Sequence, residues 1–96
     1  MVKRALADTA ALRARLGRHL RALRVGSGLT LQWIADTVGV TISTVTAWER
    51  GTCMPSLDRF PLLADTLGVT VLSLLRVALN DDLREADGGT VHWIYD

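Results

Sequence analysis

Cysteine is almost missing from this chain: Cys53 is the single one in 96 residues, so no internal disulfide can form, and no Cys/His cluster has metal-ligand spacing. Neither a disulfide scaffold nor a zinc-built fold is expected, and Cys53 reads as an ordinary loop residue. Long hydrophobic runs are also missing. Nothing approaches the roughly 18 to 20 apolar residues that cross a bilayer, and no signal-peptide pattern opens the sequence, so a cytoplasmic chain with no membrane partner is expected. Catalytic patterns are absent as well: there is no nucleophile with a base at usable spacing and no phosphate-binding glycine loop. The expectation is a non-enzyme with no cofactor and no metal.

What is present is enough for one small helical core, with 49% hydrophobic and 22% charged residues. A formal net charge of +1 hides an asymmetry. Residues 1–24 hold Lys3, Arg4, Arg13, Arg15, Arg18, Arg21 and Arg24 against Asp8 alone, whereas the end holds Asp81, Asp82, Glu85, Asp87 and Asp96 against Arg84. The local field is therefore larger than the total suggests.

Leu12, Leu16, Leu20 and Leu23 fall at offsets of four, four and three, the apolar stripe of an amphipathic helix. Helix 1 is predicted over about Thr9 to Arg24, with Asp8 as N-cap and "GSG" at 26–28 as its stop. Thr30 caps a short helix 2, about Leu31 to Val38, that turns Ile34, Ala35 and Val38 to one side before Gly39. A fourth helix, capped by Ser56 or Asp58, is predicted to turn Leu57, Phe60, Leu63, Ala64 and Leu67 inward, with Pro61 near its start. A fifth runs from about Thr70 to Leu83, and alternating residues 90–95 read as an extended segment. The division expected is an N-terminal extension over 1–11, a helical domain over 12–79 and a tail over 80–96.

The stretch "VTISTVTAWERG", residues 40–51, is rich in β-branched residues yet helical in spacing. A strand would send Val45 and Trp48 to opposite faces, whereas a helix capped by Thr41 turns both inward and ends at Gly51. Local β-propensity is worth only tenths of a kcal/mol per residue, about what packing overrides. Two short helices joined through Gly39, with small Ala35 where their axes cross, meet the requirements of a helix-turn-helix.

"GLTLQWIADTVGV", "STVTAWERG" and "PSL" followed by "ADTLGV" together resemble the phage-repressor and Cro (XRE-type) helix-turn-helix DNA-binding family, from about Leu16 to Leu75. The resemblance implies an all-α, five-helix lambda-repressor-like DNA-binding domain, here with a short extended C-terminal tail. It implies that helix 3 is a recognition helix, which puts Thr41, Ile42, Ser43, Thr44, Thr46 and Ala47 near the bases of double-stranded DNA. It also implies an ion pair between Arg24 and Glu49. For phosphates the candidates are Thr30, Gln32, Arg50, Thr52 and the backbone N–H groups at Ser56 and Leu57, because helix N-termini and the loops beside them attract anions. Arg18 and Arg21 are expected to act as general field.

The chain departs from the family's pattern at Leu31, usually Gln, and at Ile42 and Ala47, often Arg, Lys or Gln. Without those long polar readers, specificity is expected to rest on thymine methyls, DNA shape and paired half-sites. Trp33 occupies a usually polar place and needs a partner. The function expected is a transcriptional repressor binding an inverted repeat as a homodimer, with Leu72, Leu75, Val91, Trp93 and Tyr95 as candidate dimer surface or contact to another protein. An antitoxin using the same domain, and a protein-interaction module that kept the fold but not DNA binding, stay open as alternatives.

Overall fold

A computed structural model describes residues 9–79. The Asp8 cap, the segment 1–8, the extension of helix 5 to Leu83 and the strand over 90–95 with Val91, Trp93 and Tyr95 lie outside the described residues. Those described form five α-helices and a short 3-10 turn: α1 (Thr9–Gly26), α2 (Leu31–Val38), α3 (Ile42–Arg50), the turn (Leu57–Arg59), α4 (Phe60–Leu67) and α5 (Val71–Leu79).

Threonines start three of these helices. The hydroxyls of Thr30, Thr41 and Thr70 accept from the N–H groups of Trp33 (3.0 Å), Thr44 (3.1 Å) and Ser73 (3.0 Å), each satisfying a donor that the first helical turn leaves open. Gly39 ends α2 at φ 84° and donates its N–H to Ala35 O at 2.8 Å. A left-handed residue there lets the chain reverse within three residues, and glycine adopts it without the steric cost of a Cβ.

The first helix runs on to Gly26, two residues beyond the predicted end. The start of α4 differs more. Leu57 was expected inward but is 72% exposed. Its segment winds as a 3-10 turn that leans mainly on α4 itself, so Leu57 sits one turn above Phe60, past the edge of the core. Neither proposed cap makes a side-chain bond to the backbone; the Ser56 hydroxyl donates to Asp58 instead. Pro61 falls in the first turn of α4, where its missing N–H costs nothing.

A single apolar cluster fills the centre. Leu16 and Leu20 of α1, Ile34 and Val38 of α2, Val45 and Trp48 of α3, Phe60, Leu63 and Leu67 of α4 and Leu74 of α5 are all buried. Ala35 is completely covered. The helices α1 and α3 approach closely at Gly17, where a methyl group would stand 2.5 Å from Trp48 O and 2.6 Å from Glu49 O. That distance is far inside van der Waals contact, so α1 can lie against the last turn of α3 only because residue 17 has no side chain.

Candidate nucleic-acid interface

The short helix α3 stands on a frame made by α1, α2 and the core. Val45 and Trp48 anchor its inner side. Its last turn is held by three further contacts with α1. Gly17 admits the backbone, Arg13 Nε donates to Gly51 O at 3.2 Å, and Arg24 pairs with Glu49. Gly51 itself takes φ 78° with Ala14 beside it, since a methyl there would come 2.9 Å from Ala14 Cα.

The Arg24–Glu49 pair is two-pronged. Nε donates to Oε2 at 2.7 Å and Nη2 to Oε1 at 3.2 Å, and the third contact, Nη1 to Leu29 O at 2.9 Å, ties the turn before α2 into the same knot. The side chains are only 13% and 8% exposed. The hydrogen bond to Glu49 raises the Arg24 pKa above its ordinary value and outweighs the opposing effect of burial. A void of about 10 Å³ lies among Leu20, Ile34, Trp48 and the pair. The two-pronged geometry leaves the guanidinium little freedom.

Two further arginines reach helix carbonyls. Arg59 Nη1 donates to Val38 O at 2.9 Å at the end of α2, and Arg15 Nε donates to Ala78 O at 3.1 Å, one residue before the last described residue of α5. A cation at the end of α2 satisfies an open acceptor and opposes the negative end of the helix dipole.

On the outer side of α3, Thr41, Ile42 and Ser43 are exposed, and Thr44, Thr46 and Ala47 are half-buried. The Thr41 and Thr44 hydroxyls lie 3.0 Å apart, hydrogen-bonded to each other. The face is short-chained and uncharged until Arg50, which is exposed and makes no hydrogen bond or ion pair among the described residues. Several phosphate candidates are already engaged locally. The Thr30 hydroxyl caps α2, Gln32 Nε2 donates to Asp36 Oδ1 at 2.8 Å, and Thr52 Oγ1 donates to Ala47 O at 3.1 Å; Ser56 and Leu57, proposed through their backbone N–H groups, open the 3-10 turn, with the Ser56 hydroxyl on Asp58. Leu57 projects beside them with its side chain in solvent. Trp33 is 48% exposed on α2. Of the α5 candidates, Leu72 is 64% exposed, whereas Leu75 packs against the core.

Sequence reasoning did not single out Gly17, Arg13, Arg15 or Arg59 as holding the frame. A glycine inside a strongly periodic helix was the available signal for Gly17, because such a residue commonly marks a packing need. The arginine contacts had none, since their partners lie 21 to 63 positions away. Among the described residues no group of three or more His, Cys, Asp or Glu side chains can hold a metal ion. No single helix there is long and apolar enough to cross a membrane.

Two capped helices meeting at Gly39, the second held outward on a rigid frame, define the helix-turn-helix class. The profile described as "Helix-turn-helix domain" matches residues 15–76, and the chain belongs to that family, in its XRE-type branch. It is 39% identical over 61 residues to the HTH-type transcriptional regulator DdrOP3 of Deinococcus deserti, a match over 64% of this chain and 47% of that protein. The chain thus spans about half the length of this relative. Among solved structures it is similar to the clp gene regulator ClgR from Corynebacterium glutamicum. One crystal structure gives a TM-score of 0.67 at 26% identity, covering 86% of this chain and 88% of that one. A second gives 0.64 at 31% identity, covering 71% and 88%.

Proposed function

We propose that this protein is a sequence-specific double-stranded DNA-binding transcriptional regulator that reads the major groove with α3. The observation that carries the reading is the outer face of α3, which is uncharged, short-chained and mounted on a helix fixed at Gly17, Arg13 and Glu49. Such a face can lie close to base edges. Ser43 and Thr46 hydroxyls are matched to base and phosphate acceptors, and Ile42 and Ala47 methyls to thymine C5-methyl groups. Arg50 is the cation placed for a phosphate. The similarity to transcriptional regulators supports the same reading.

A single α3 reads too few base pairs for a unique site, so the chain acts as a homodimer on an inverted repeat, with recognition helices roughly 34 Å apart. Leu72 and Leu79, both more than half exposed on α5, support that part of the reading, and repression follows from occlusion of polymerase. The exposed Trp33 and Leu57 favour one competing reading, a face that docks protein.

Selection of bound duplexes from a random pool by the purified full chain, followed by salt titration of the best site, tests the proposal. The expected result is an inverted repeat, thymine-rich at the contacted positions, for which the logarithm of the affinity falls linearly with log salt. No enrichment and no salt-dependent binding overturns it in favour of protein docking.

A further inference from the structure

The basic side of α1 does not all belong to the face that carries α3. Arg15, Arg18 and His19 line an open groove of about 310 Å³ whose other wall is Val77 of α5. At 100° per residue, Gly17, Leu20 and Arg24 mark the side of α1 turned to α3, and Arg15 and Arg18 lie roughly 130–170° around the helix from it. A duplex seated on α3 therefore leaves this groove untouched.

Among the described residues the groove is lined by two arginines and a histidine and by no acidic side chain. Arg15 spends its Nε on Ala78 O, which fixes the last turn of α5 as the groove wall, and Arg18 makes no hydrogen bond or ion pair among the described residues. Four to ten residues after Val77 the sequence places Asp81, Asp82, Glu85 and Asp87. Counted from Leu79, the last described residue of α5, Asp81 is two residues on and Asp87 eight, a reach of at most about 7 Å and about 28 Å, and so short a tether gives an effective local concentration in the mM range.

We propose that the acidic run 81–87 of the same chain docks in the Arg15–Arg18–His19 groove and neutralises it, so that α1 does not offer polyanions a second, sequence-blind surface. A tethered run of net charge −3, four carboxylates against Arg84, meets this groove ahead of any free anion, and its sign and its distance from the groove both match.

The test uses the full chain, with Cys53→Ser and Ala86→Cys, spin-labelled at position 86 and observed by amide NMR. At 50 mM salt the label is expected to broaden Arg15, Arg18, His19 and Val77 and to spare α3. At 1 M salt, where the Debye length is about 3 Å, the broadening at Arg15, Arg18 and His19 is expected to fall several-fold, to the level that the tether alone gives. The same fall is expected when Asp81→Asn, Asp82→Asn, Glu85→Gln and Asp87→Asn are added, with the rest of the spectrum unchanged. No broadening at the groove overturns the proposal, as does broadening there that neutralisation leaves undiminished. So does equal broadening of a 15N-labelled, spin-free chain mixed with spin-labelled chain, which means that a second copy supplies the acid. None of these readouts depends on DNA binding.

Discussion

Breaking the Arg24–Glu49 pair from one side leaves a charge with nothing to replace its partner. In Glu49→Leu the guanidinium, 13% exposed, keeps only its bond to Leu29 O. In Arg24→Met the carboxylate, 8% exposed, keeps none of the contacts described for it. A fully buried pair broken this way costs 3 to 5 kcal/mol. The small residual exposure, and room beneath the pair for about one water, bring the expectation to about 3 kcal/mol for either variant. For a domain of this size that lowers Tm by about 12–24 °C.

The double variant Arg24→Met/Glu49→Leu removes both charges and fills the space with apolar atoms. It is expected within about 1 kcal/mol of the parent, giving a coupling energy above 3 kcal/mol. Urea denaturation of all four proteins, followed by far-UV circular dichroism, measures the cycle. Singles that cost under 1 kcal/mol, or a double whose cost equals their sum, refute the reasoning. As the Arg24 pKa is raised on folding, its contribution is complete below the unfolded value and lost only as pH rises through the folded one. Both lie in strong alkali, so the arginine side of the pair imparts no pH dependence near neutrality.

Gly17→Ala drives a methyl into two backbone carbonyls, which cannot rotate away, and is expected to cost about 2 kcal/mol in spite of alanine's better helix propensity. Gly26→Ala, with nothing within 4 Å, is expected to be neutral or slightly stabilising; the same denaturation experiment compares them. Thr41→Ala removes the cap of α3 and the bond to Thr44, and a loss of about 1 kcal/mol is expected. Arg50→Gln is expected to leave stability unchanged while weakening duplex binding across all sequences and reducing the log-log salt slope by about 0.9, the value for one lost phosphate contact. Anisotropy titrations at several salt concentrations measure it.

The helix order was legible because polar punctuation and apolar period agree at each boundary. Thr30 and Gly39 bracket α2, Thr41 and Gly51 bracket α3, and Val45 and Trp48 at a separation of three settle helix over strand against the local β-propensity. Leu57 misled for a physical reason. Its spacing from Phe60 fits an α-helix, but the preceding segment tightens to a 3-10 turn, and whether a residue one turn out finds cover depends on neighbours no local pattern records. The contacts that fix α3 were hidden for the same reason. Arg13 and Arg15 belong to the basic run of helix 1, yet each reaches a carbonyl far along the chain, as Arg59 does, so part of the apparent positive field is committed to those carbonyls. The groups proposed for phosphates were chosen by position, which says nothing of availability, and the Thr30, Gln32 and Thr52 side chains are engaged by neighbours within five residues.

The central claim, that the short apolar face of α3 reads DNA through thymine methyls, is tested most directly by replacing thymine with uracil at the contacted positions of the selected duplex. Removing the C5-methyl group changes neither pairing nor phosphate charge. The account predicts a several-fold loss of affinity at those positions, none at flanking thymines, and an unchanged salt slope. Equal affinity for the thymine and uracil duplexes contradicts it.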